Sequence, residues 1–165
     1  MNKYLILCID DEREVLDSVL NDLSEFESHF IVEACESVAE AQQVIDEATK
    51  DGVTLALALC DHIMPNTTGV EFLISLSQQK ATANCRKLLL TGQAGLDETI
   101  EAVNHASLDY FITKPWQKEA LCHTITEQLT TFVIETEKEL MPWMSVLNTE
   151  RILKAMSDNR SSFGE

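Results

Sequence analysis

The stretch LALALCDHIMP, residues 55–65, runs apolar for five residues and passes a cysteine. It then sets Asp61 just ahead of Met64–Pro65, where the chain must turn. With the preceding Val53 and Thr54 it reads as a strand over 53–60, apolar enough to be buried on both faces, as strands of parallel sheets are. A carboxylate at the end of such a strand is an ordinary turn residue when it stands alone. Its meaning depends on what the rest of the chain brings beside it.

Outward from this stretch, short apolar runs alternate with longer amphipathic ones. YLILCI (4–9) predicts a first strand, and Val15, Leu16, Val19, Leu20 and Leu23 carry helical spacing after it. FIVEAC (30–35) predicts a second strand. The next helix opens at Ser37 with Glu40 three residues on, the arrangement of a capping box. Gly69 precedes a third amphipathic helix, KLLLT (87–91) predicts a fourth strand, 96–106 a fourth helix, DYFIT (109–113) a fifth strand and 116–135 a fifth helix. Five strands alternating with five helices, with no room for hairpins, imply parallel strands joined by crossover helices: an α/β, doubly wound parallel sheet. The expected division is a domain over 1–134 and a helical extension or linker over 135–165, interrupted at Pro142 and ending in polar residues expected to be disordered.

The 165 residues carry 28 acids against 12 bases, a formal charge of −16. So acidic a surface excludes direct binding of nucleic acid, which relies on Lys and Arg neutralising phosphates, and excludes an anionic membrane surface. Five cysteines (Cys8, Cys35, Cys60, Cys85, Cys122) are scattered without a CxxC pair and read as reduced core residues of a cytoplasmic protein. No stretch has the shape of a signal peptide or the length of a membrane span.

In an open parallel sheet, ligands bind beyond the carboxyl ends of the strands. Those ends carry Asp10, Asp11 and Glu12 after the first strand, Asp61 after the third, Thr91–Gly92 after the fourth and Lys114–Pro115 after the fifth. Converging carboxylates repel, at a cost of several kcal/mol unless they are paired or protonated. A divalent cation resolves this, and oxygen-only ligands suit Mg²⁺, with Mn²⁺ as a substitute. Lys114 supplies a compact positive charge for a carboxylate or a phosphoryl oxygen. Thr91 offers a hydroxyl to the same oxygen, and Gly92 leaves space and a backbone N–H.

CIDDE after the first strand, LCDHIMP after the third, LLLTG after the fourth and YFITKPW after the fifth together resemble the receiver domain of two-component response regulators, over roughly residues 3–134. The resemblance implies a flavodoxin-like (βα)5 fold with strand order 2-1-3-4-5. It implies that Asp61 accepts a phosphoryl group from a phosphohistidine of a sensor kinase or phosphotransfer protein. Asp10, Asp11, Asp61 and the backbone carbonyl of Ile63 would hold Mg²⁺, while Thr91, Gly92 and Lys114 would bind the phosphoryl group. Phe111 would be the switch aromatic, moving with Thr91, and Lys114–Pro115 a cis peptide. Ile63 and Gln93 would set the phosphoryl lifetime, the apolar Ile63 favouring a long one. Phosphorylation would bias the face made of the fourth helix, fifth strand and fifth helix, toward a partner, an output domain or a homodimer; the extension is a second candidate dimer surface.

Such a protein is not an enzyme beyond its own phosphoryl transfer and slow autodephosphorylation. A haloacid-dehalogenase-type phosphatase also uses a strand-end Asp, but it needs a second Asp two residues on, where this chain has Ile63, and it carries its acidic pair last instead of first. A phosphorylation-independent receiver-like binding or dimerisation module is the alternative. His62 is expected to face solvent, and Trp116 to pack at the start of the fifth helix.

Overall fold

The computed structural model describes residues 2–92 and 108–163; the helix expected over 96–106 and Gln93 lie outside them. Five strands, β1 (Tyr4–Ile9), β2 (Ile31–Cys35), β3 (Thr54–Asp61), β4 (Arg86–Thr91) and β5 (Tyr110–Thr113), form one sheet in the order β2-β1-β3-β4-β5, every pairing parallel. Between and after them lie α1 (Arg13–Asp22), α2 (Val38–Lys50), α3 (Gly69–Ser77), α4 (Lys118–Thr136) and α5 (Thr149–Phe163). α2 starts as its sequence predicts: the Ser37 hydroxyl accepts the N–H of Glu40, and the Glu40 carboxylate reaches back to the N–H of Glu36.

Strand β1 is buried along its whole length, and its side chains divide by period two between the sheet's faces. Leu5, Leu7 and Ile9 join one core with Ala41 and Ile45 of α2 and Phe72, Leu73 and Leu76 of α3. Tyr4, Ile6 and Cys8 join the other with Leu16 and Val19 of α1 and Leu121, Ile125, Leu129 and Phe132 of α4.

The 53–60 reading is displaced by one residue, and the strand also contains an irregularity that its pattern conceals. Leu5 pairs with Leu55 but Ile6 pairs with Leu57, so β3 carries one extra residue at Ala56. Ala56 and Leu57 therefore share a face, and the alternation changes phase: Leu55, Ala58 and Cys60 face the α2–α3 core, while Leu57 and Leu59 face the α1–α4 core. Asp61 follows in the phase of Leu57 and Leu59.

The extension is folded. Helix α5 covers Thr149–Phe163, and residues 164–165, at the end expected to be disordered, lie outside the described residues. Leu140, Trp143, Leu147 and Ile152 are buried in the same core as Tyr4, Phe26 and Phe30. Trp143 is 1% exposed, with its ring centroid 5.6 Å from Tyr4 and 5.7 Å from Phe30. Arg151 Nη1 donates to the Glu127 carboxylate at 2.7 Å and Nη2 to the Thr131 hydroxyl at 2.7 Å, fastening α5 to α4.

Candidate functional site

The parallel register brings the strand ends to one edge of the sheet. Ile9 pairs with both Cys35 and Cys60, Asp61 with Leu90, and Thr91 with Thr113. Residues just past these pairs, from segments far apart in the chain, must then meet. Carboxylate oxygens of Asp10, Asp11 and Asp61 lie within 4.8 Å of one another; Asp10 and Asp61 are buried and Asp11 is exposed. Asp10 is held in place by the N–H of Glu12, which donates to its Oδ1 at 2.9 Å. Lys114 Nζ donates to Asp61 Oδ1 at 3.0 Å and Asp10 Oδ2 at 3.2 Å.

Burial pushes the Asp61 carboxyl above its ordinary value. The bond from Lys114 opposes that, the charges of Asp10 and Asp11 reinforce it, and the net direction is upward. Burial by itself would lower the Lys114 ammonium, but its bond to Asp61 and the attraction of Asp61 and Asp10 outweigh that and leave it raised. The two partners move the same way for different reasons. Lys114 sits among excess negative charge, whereas Asp61 shares that ammonium with Asp10 and has Asp11 close by. This charge imbalance, with oxygen-only donors, fits a hard divalent cation such as Mg²⁺ at Asp10, Asp11 and Asp61.

The other expected site residues have distinct resting positions. Thr91 is buried, and its hydroxyl donates to the Gly92 carbonyl at 3.0 Å. Among the described residues, a β-carbon at Gly92 would meet no heavy atom within 4 Å. Phe111 lies on the edge strand, 40% exposed and stacked on Tyr110 with centroids 6.4 Å apart. Ile63 is exposed, and the Lys114–Pro115 peptide is cis.

His62 differs from expectation. It is 5% exposed, and its Nδ1 has no hydrogen-bond partner among the described residues. The cause is the return of the loop: Asn66 takes a left-handed φ of 72°, which asparagine tolerates, and the N–H of Gly69 donates to the His62 carbonyl at 2.9 Å. A β-carbon at Gly69 would stand 2.1 Å from the Asp61 carbonyl oxygen. Gly69 is thus a site-shaping residue that sequence reading passed over. Its signal was available, since Thr68 already caps α3 by accepting the N–H of Glu71 and the helix start had no need of glycine.

All five cysteines are buried and free. Burial raises their thiols, Cys8 and Cys35 to about 12 and Cys85 and Cys122 to about 11, so the thiolate is suppressed. No described helix is long and apolar enough to cross a membrane.

A five-stranded parallel sheet in this order, with an acid cluster and a lysine at its carboxyl edge, defines a flavodoxin-like α/β class with a polar site at the strand ends. The chain matches the response regulator receiver domain over residues 6–126, and it belongs to that family. It is 29% identical over 132 residues to the chemotaxis protein CheY of Halobacterium salinarum, covering 79% of this chain and 99% of that one. It is 28% identical over 137 residues to the hydrogenase transcriptional regulatory protein HoxA of Bradyrhizobium diazoefficiens, covering 81% of this chain but only 26% of that protein. The chain thus spans about a quarter of the length of the HoxA relatives it matches. Among solved structures, one described as adenylate cyclase from Rhodopirellula baltica superposes with a TM-score of 0.70 at 28% identity, covering 84% of this chain and 95% of that one. A receiver domain from Clostridium thermocellum superposes at 0.66 and 23%, covering 78% and 95%.

Proposed function

We propose that Asp61 accepts a phosphoryl group from a phosphohistidine on a sensor kinase or phosphotransfer protein, and that the chain acts as a phosphorylation-controlled switch. The observation that carries this reading is the Lys114 ammonium bonded to both Asp61 and Asp10 beside a third carboxylate. An Asp61 oxygen forms the new O–P bond while the donor's N–P bond breaks, and the departing imidazole takes up a proton. Lys114 follows the phosphoryl oxygens, releasing its present bond to Asp61. Thr91 exchanges its bond to Gly92 for one to the phosphoryl group, which the Gly92 N–H also reaches. Positioning and charge neutralisation provide most of the acceleration.

Mg²⁺, or Mn²⁺ in its place, held by Asp10, Asp11, Asp61 and the Ile63 carbonyl, would neutralise charge on the transferring group. Movement of Thr91 leaves room for the outward-facing Phe111 to turn inward, altering the β5–α4 face presented to a partner, an output domain or a second copy. A shift from mostly inactive to mostly active requires about 5 kcal/mol of differential stabilisation. The exposed, apolar Ile63 cannot orient a water, which favours a long-lived phosphoaspartate.

The test is intact-mass spectrometry after incubation with acetyl phosphate and Mg²⁺, on wild type and Asp61→Asn, with and without chelator. The expected result is one added phosphoryl group that requires both Asp61 and the metal. Absence of an adduct on a protein shown to bind Mg²⁺ points to rapid self-hydrolysis where inorganic phosphate is released from acetyl phosphate in an Asp61-dependent way. Without that release it would overturn the reading and leave a phosphorylation-independent binding module.

A further inference from the structure

The segment carrying Lys114 is tied to the segment that follows β1 at two separated points. One is the ion pair of Lys114 with Asp10, at 3.2 Å. The other lies at the opposite end of α1, where the indole N–H of Trp116 donates to Asp22 Oδ2 at 2.8 Å. Asp22 is the last residue of α1, and its carbonyl also accepts the thiol of Cys122 in α4 at 3.2 Å. These contacts close a ring of chain, from Asp10 along α1 to Asp22, across to Trp116 and back through Pro115 to Lys114. Trp116 is partly buried against the α1–α4 core, yet its pair with Asp22 borders an open cleft lined also by Ser18, Asn21 and Pro115. Packing at position 116 calls for a large apolar ring. The hydrogen bond calls specifically for the indole donor.

We propose that Asp22 and Trp116 are positioning residues, which hold the Lys114 ammonium between Asp10 and Asp61 from a point two residues along the loop. A lysine side chain is long and flexible, so its terminal position depends on where its backbone is fixed. A displacement of about 1 Å at such a site costs on the order of 100-fold in rate. The inference rests on the phosphoacceptor reading for its rate measurement only, because Lys114 also competes with a cation for Asp10 and Asp61.

The test uses the full chain in three variants. Trp116→Phe keeps the ring and removes the donor, Asp22→Ala removes the acceptor, and Asp22→Asn retains an acceptor oxygen. The phosphorylation rate with acetyl phosphate is measured across donor concentration, Mg²⁺ affinity by titration, and thermal stability alongside. In Trp116→Phe and Asp22→Ala the rate at saturating donor is expected to fall on the order of 100-fold, with little change in the half-saturating concentration. Mg²⁺ affinity is expected to rise in both, because the displaced ammonium no longer competes, while Asp22→Asn stays near wild type in both measurements. Wild-type rate and Mg²⁺ affinity in Trp116→Phe would overturn the proposal, as would a loss that tracks thermal stability and is not rescued by asparagine. If wild type accepts no phosphoryl group, the phosphoacceptor reading fails by itself, and the Mg²⁺ titration still decides this one: unchanged affinity in Trp116→Phe overturns it.

Discussion

Lys114 Nζ lies 3.0 Å from Oδ1 of Asp61, a buried carboxyl that its surroundings nonetheless push toward the protonated form. Because the folded protein binds the Asp61 proton more tightly than the unfolded chain does, its contribution to stability is fully present below about the ordinary value of 3.8. That contribution is lost as pH rises through the raised folded value. At neutral pH without metal, ionised Asp61 therefore opposes folding. Asp61→Asn in chelator is expected to stabilise the protein and raise its melting temperature. The gain should vanish in acid below the ordinary carboxyl value, and thermal melts across pH check both statements.

Gly69→Ala places a methyl 2.1 Å from the Asp61 carbonyl oxygen, a backbone atom that cannot move without shifting the end of β3. Helix propensity alone would favour alanine by about 1 kcal/mol. The overlap wins, and a net loss of roughly 3 kcal/mol is expected, with reduced phosphoryl transfer in whatever remains folded. Urea denaturation measures the first and intact-mass spectrometry the second.

Among the described residues the buried His62 Nδ1 has no hydrogen-bond partner, and an unpaired buried polar atom costs about 1–3 kcal/mol. His62→Leu fills similar space without that atom and is expected to raise the melting temperature by a few degrees, about 2–4 °C for each kcal/mol recovered. A lower melting temperature in this variant would show that the imidazole is satisfied in solution.

Trp143 ties the extension to the core, so Trp143→Ala should destabilise the whole domain by about 3–5 kcal/mol. Fluorescence and circular dichroism should then report one unfolding transition, shifted to lower urea. A separate early transition confined to residues 137–163 would contradict this.

Glu127 supplies a pH dependence to the same attachment. Burial alone would raise its carboxyl, but the bonds from Asn148 and Arg151 prevail and lower it from 4.5. A lowered folded value means that the contribution is present above 4.5 and lost as pH falls through the folded value. Acid titration below that point should loosen α5 from α4, read by the fluorescence of Trp143, and Glu127→Gln should remove that acid-dependent component.

Much of this protein was legible in residue order. Short apolar runs that read as strands buried on both faces, amphipathic helices between them and the rule that parallel strands need crossovers lead directly to a doubly wound sheet. Asp10, Asp11, Asp61, Thr91 and Lys114 stood out because strand ends in such a sheet share an edge. Local pattern determined these features, because burial on both faces and helical periodicity are written into consecutive residues.

Pairing and packing decided the rest. LALALC alternates without a break, so nothing in it announces the extra residue at Ala56 that reverses the phase of β3 and sets the face on which Asp61 follows Leu57 and Leu59. His62 looked like a loop residue and is buried, because a glycine seven positions later folds the chain back over it. The tail looked weakly amphipathic, yet Trp143 and Ile152 complete the core against Tyr4 and Phe30, residues more than a hundred positions away. A short segment cannot encode which distant surface it will cover. That is settled only when both surfaces lose water together, and the energy belongs to the pair.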